Sequence, residues 1–230
     1  MIVLNKFFTV FFLSIFAFQA LGQSNYEVGS MPKLDLNASL SEWWELNAEI
    51  ESKLIFREGF YNGPSKQQYR HHRTNISVAG KRKIGNNTSV TGGYLLKIQE
   101  NNLLHRLLQE YSLKSTSANF TLGHRFATDQ TFNTGSATEY RLRYRISATY
   151  PLSETSRNVK NSYLKFENEY LGSLENKSTA LEIRVLAAIG FIPIHHSTLE
   201  TGISYRACEA TQPITNNEFW LYVGLSLNLN

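Results

Sequence analysis

Between Tyr140 and Tyr150 the chain alternates almost without a break. Tyr140, Leu142, Tyr144, Ile146, Ala148 and Tyr150 occupy the even positions, and Arg141, Arg143, Arg145, Ser147 and Thr149 the odd ones. Successive side chains of a strand point to opposite faces, so three arginines share one face and an apolar row bounded by tyrosines covers the other. A helix would scatter these arginines around its circumference.

The same period predicts nine further strands, at 44–56, 72–82, 90–98, 103–113, 118–126, 163–170, 179–191, 199–207 and 219–229. In the first, Trp44, Leu46, Ala48, Ile50, Leu54 and Phe56 oppose Glu45, Asn47, Glu49, Glu51 and Lys53. Segment 103–113 is ambiguous, because Leu107-Leu108 lets either register, or a helix, be drawn. Residues 23–41 carry Gly, Ser, Asn and Pro without a period and predict a mobile lead-in.

Ten alternating strands predict an all-β fold, an antiparallel transmembrane barrel over 42–230. Apolar rows then face lipid and polar rows a lumen. A closed barrel also satisfies every backbone amide at membrane depth, which an open sheet cannot do. An even count leaves both ends of the barrel on the periplasmic side. Short links at 84–87, 115–117 and 193–197 fit periplasmic turns, and longer ones at 57–67, 127–137 and 208–217 fit the outside. The long connection 151–161 runs against this scheme. Aromatics at row ends, such as Trp44, Phe56, Tyr163 and Phe219, suit interfacial girdles. A soluble lipocalin-like barrel with its apolar rows inside around a lipid shares the alternation and is the main structural alternative.

The first residues favour the membrane reading. Lys6 supplies a positive n-region, residues 7–18 an apolar core and Ala20-Leu21-Gly22 a small-x-small site. Residues 1–22 are therefore expected to be a cleaved signal peptide, leading to the bacterial outer membrane. No later segment has the apolar length of a spanning helix. Loss of Lys6 takes the formal charge from +4 to +3, diffuse and without a polybasic block, so nucleic acid is not an expected partner. The expected partners are outer-membrane lipid, the barrel-assembly machinery and a small solute or ligand of unknown kind. Cys208 is the lone cysteine, which excludes an internal disulfide framework.

The polar rows carry the candidate chemistry: Glu45, Glu49, Glu51, Arg73, Arg125, Arg141, Arg143, Arg145, Glu167, Glu169, Glu182, Arg184, Glu200 and Arg206, with Lys53 and Lys165 among them. Both signs are present, and isolated ions in a narrow lumen are costly, so these residues predict an ion-paired interior. The alternative is a polar conduit or ligand site, in which arginines attract carboxylates or phosphates through forked hydrogen bonds. No catalytic, cofactor or metal site is assigned. His71, His72, His105, His124, His195 and His196 lack obvious partners, and no G-x-S-x-G nucleophile motif occurs. An outer-membrane hydrolase is carried only as an alternative, with His71 and His72 near the outer rim.

Several short motifs in a fixed order resemble an outer-membrane family common in Bacteroidetes, domain of unknown function 2490. They are an opening Trp strand, His72-Arg73-Thr74, Gly93-Tyr94, His105-Arg106 with Gln109, His124-Arg125-Phe126, Arg141-x-Arg143-Tyr144-Arg145, Asn168-Glu169 and Glu200-x-Gly202-x-x-Tyr205. The resemblance implies an outer-membrane barrel over most of the chain and implies no activity.

Overall fold

The computed structural model describes residues 25–100, 102–117, 120–132, 137–152, 162–193, 196–210 and 215–229. Within them lie eleven strands: β1 (Asn25–Ser39), β2 (Trp44–Phe60), β3 (Ser65–Gly85), β4 (Thr88–Gln99), β5 (Asn102–Ser117), β6 (Phe120–Phe132), β7 (Glu139–Pro151), β8 (Ser162–Glu175), β9 (Ser178–Phe191), β10 (Ser197–Cys208) and β11 (Asn216–Asn228). Each pairs antiparallel with the next, and β1 pairs parallel with β11 to close the barrel. Tight turns fix several registers. At Asn176 and Lys177 both φ angles are positive (46° and 69°), the geometry of the two-residue hairpins whose twist matches that of the strands.

All ten expected strands form, and β2, β3 and β6 run well past their expected ends. The eleventh corrects the expectation for 23–41, whose residues 25–39 are a strand and not a mobile lead-in. Gly29 and Pro32 interrupt its pattern. Pro32 brings no amide to the ladder, and the β1–β2 register skips Met31 and Pro32. Even parity is corrected with it. A parallel seam puts the start of β1 beside the start of β11, so the barrel begins at one rim and ends at the other. The expected signal peptide, residues 1–22, lies outside the described residues, as does most of the connection 151–161.

The facing of the rows excludes the lipocalin arrangement. Leu142 is 65% exposed on the outer surface, whereas the neighbouring Arg141 and Arg143 side chains are 10% and 11% exposed. Ile50, Ile76, Tyr94, Leu107, Phe126, Phe166, Ile189, Ile203 and Leu221 continue the outward apolar surface around the barrel. Inside, the main apolar feature is a knot of Met31, Ile55, Ala188, Trp220 and Tyr222 beside the seam, with Leu186 packed against it.

That knot depends on Gly29. A Cβ there would overlap the Leu54 carbonyl oxygen and come within 2.7 Å of Trp220 Cζ3. The β1–β2 register shifts between Val28 and Gly29, where the bulge brings the two backbones together. Replacing Gly29 with valine should therefore overpack the seam and cost about 1–3 kcal/mol. The midpoint of urea unfolding in detergent measures this, and an unchanged midpoint would contradict the packing described.

Candidate functional site

The arginine row of β7 finds its acids on both neighbouring strands. On β6, Asp129 is 1% exposed and accepts from Arg141 Nη2 and Arg143 Nη2, each at 2.7 Å. On β8, Glu169 is 2% exposed and takes Arg145 Nε at 2.9 Å, Arg125 Nη2 at 3.3 Å and Arg184 Nη1 at 2.8 Å. Cross-strand register makes this possible, since Arg145 faces both Arg125 and Glu169, and Glu169 faces Arg184. Charges this far from water need such pairing, because an uncompensated one costs several kcal/mol.

The network spreads from these two carboxylates. Glu167 pairs with Arg145 (3.0 Å) and Lys165 (3.4 Å), and Glu182 with Arg184 (2.6 Å) and Arg206 (3.9 Å). Glu200 holds Lys165 at 3.1 Å and accepts from the hydroxyls of Tyr163 and Tyr222. On the other wall Glu49 takes Lys33 at 2.9 Å, and Glu51 accepts from Asn75 at 3.3 Å. Near the rim Glu45 holds Lys81 and Lys83. Lys53 is fully buried, 2.5 Å from Glu218 and over the Trp220 ring. The expected residues thus all lie on the inward rows, and two of them, Arg73 and Glu51, have no ion-pair partner among the described residues, although Glu51 accepts from Asn75. Arg73 Nε is buried without a partner, and neither Arg73 nor Lys97 lies within 4 Å of a carboxylate among the described residues.

Several participants lie outside the expected residues. Lys33 and Asp35 fall in the segment expected to be mobile, and Glu218 precedes the expected start of its strand. Asp129 was placed in an outer loop, 127–137, but β6 continues to Phe132 and carries it inward. Glu110, 3.4 Å from Arg125, sits on the ambiguous strand, where Leu108 also lines the lumen and blurs the alternation. Polar residues on both sides of Asp129, Thr128 and Gln130, leave no alternation there for the sequence to show.

Between the walls lies a cavity of about 390 Å³. Eleven basic and seven acidic side chains line it among the described residues, and Asp35, Asp129 and Glu200, which are not in that lining, pair with four of the basic ones.

A family model described as "Protein of unknown function (DUF2490)" matches residues 32–217, from within β1 to the start of β11. The chain belongs to this family. Among solved structures, the NanC porin is similar over 90% of this chain and 98% of its own, with 12% identity and a TM-score of 0.50. OmpT, an outer-membrane protein of Vibrio cholerae, covers 81% of this chain and 89% of its own at 8% identity and a TM-score of 0.42. No functionally curated protein matches it. The family match confirms the expected family, and the NanC porin likeness bears on the fold alone.

The network makes a graded prediction. Glu169→Gln strands three arginines in the interior and should cost about 3–5 kcal/mol. Glu45→Gln, in a half-exposed pair near the rim, should cost less than about 1 kcal/mol. Urea unfolding of the two variants in detergent compares them, and equal losses would contradict the pairing hierarchy.

Proposed function

We propose that this chain is an outer-membrane barrel whose lumen admits small anionic solutes. Strands of 12–21 residues exceed the roughly 9–11 that a tilted strand needs to cross a bilayer. The outward apolar surface supplies the lipid face. The NanC porin's likeness supports the location by analogy of fold. The observation that carries the anion reading is the division of labour inside. On β5–β9 the arginines are bound to glutamates and Asp129, which braces the wall. On β3 and β4, Arg73 and Lys97 face the same cavity without a carboxylate in reach among the described residues. Cations with no carboxylate bound directly to them are the groups that can replace part of an anion's hydration shell.

We read the role as non-catalytic. His71 Nε2 bonds Thr74 Oγ1 at 2.8 Å on the outer face, away from the cavity. That placement supports a belt histidine over the hydrolase alternative.

Planar bilayers under a salt gradient test the proposal. Currents through the reconstituted barrel should reverse at a potential of the sign set by chloride permeation, and joint Arg73→Gln and Lys97→Gln substitution should move that potential toward zero. Cation selectivity, absence of current, or a reversal potential unmoved by the substitutions would contradict it.

A further inference from the structure

Where β1 closes on β11, the register stacks three glutamates in one row. Glu27 of β1 lies opposite Glu218 of β11 on one side and opposite Glu58 of β2 on the other. Like charges set directly across strands repel. Two of the three have their own cations: Arg70 at 2.9 Å from Glu58, and Lys53 at 2.5 Å from Glu218. Glu27 has no ion-pair partner among the described residues, and its Oε2 is buried without a hydrogen bond. The middle carboxylate of the row therefore lacks a countercharge.

A histidine fills the space beside it. On β3, Arg73 pairs with Lys53 and His71 with Leu54, which leaves His72 without a counterpart on β2. A bulge of this kind re-aims a side chain that strict alternation would send outward. The His72 ring lies 6.1 Å from the ring of the inward-facing Trp220. Ligand atoms of Glu27, His72 and Glu218 all fall within 4.8 Å of one another.

We propose that Glu27, His72 and Glu218 form a divalent-metal site, with a donor set of one imidazole nitrogen and two carboxylate oxygens that zinc takes well. Three such ligands with an open fourth position are a zinc arrangement, and tetrahedral bonds near 2.0–2.1 Å need the ligand atoms about 3.4 Å apart. Glu218 has the capacity to serve both roles. Its Oε2 accepts from Lys53 and Trp220, while among the described residues its Oε1 takes only the weak Cys208 thiol donor, at 3.4 Å. The metal supplies the countercharge that Glu27 lacks. It also ties β1, β3 and β11 together at the seam, where the pairing is parallel and less stable per residue.

The test uses the full barrel refolded in detergent, stripped with chelator and titrated with zinc by calorimetry, with bound metal counted after desalting. Wild type should retain about one zinc per chain, and Glu27→Gln and His72→Gln should each weaken binding at least roughly tenfold while unboiled gel mobility shows a closed barrel. Melting gives a second readout. In chelator Glu27→Gln should melt at or above wild type, because one carboxylate leaves the crowded row. With saturating zinc only wild type should rise. Zinc retained by both variants, no stoichiometric zinc, a wild-type melt that zinc does not move, or a Glu27→Gln melt below wild type in chelator would each overturn the site.

Discussion

Everything inside this barrel follows from the cost of sealing charge away from water. Glu169, shared by arginines from β6, β7 and β9, shows how that cost is met: one carboxylate neutralises part of three guanidinium groups and joins four strands. Asp129 does the same for Arg141 and Arg143. With the outer face given over to apolar side chains, the lumen is where the polar rows must go. Their mutual pairing then serves where a soluble barrel would use a hydrophobic core.

The same constraint accounts for the asymmetry of the lumen. The wall from β5 to β10 is rich in matched pairs, the seam carries the apolar knot around Trp220, and the wall of β3 and β4 presents Arg73 and Lys97 without carboxylates in reach among the described residues. A cavity bounded on these three sides differs from a uniformly plugged interior. It has a braced side that holds its shape and a side on which Arg73 and Lys97 have no carboxylate within 4 Å among the described residues.

Much of the architecture was legible because alternation is a local signal. Leu142 and Arg143 declare opposite faces with no knowledge of their partners, and the same holds for Ile183 and Arg184. What stayed hidden depended on tertiary events. Gly29 and Pro32 obscured β1, although Tyr26, Val28, Leu34 and Leu36 keep its alternation. That omission also concealed Lys33 and Glu27. Asp129 looked like a loop residue because polar Thr128 and Gln130 flank it. The sequence places His72 near the outer rim without a partner, because only the pairing of β2 with β3 shows a bulge there. Its two carboxylate neighbours lie 45 and 146 residues away in sequence, on strands that meet it only at closure.

Charge within and apolar side chains on the outer surface make this an inside-out barrel. Membrane fractionation followed by electrophoresis of unboiled and boiled samples addresses it most directly. Carbonate-resistant membrane association with faster migration before boiling is the predicted result. A protein released by carbonate, with the same mobility in both samples, would contradict it.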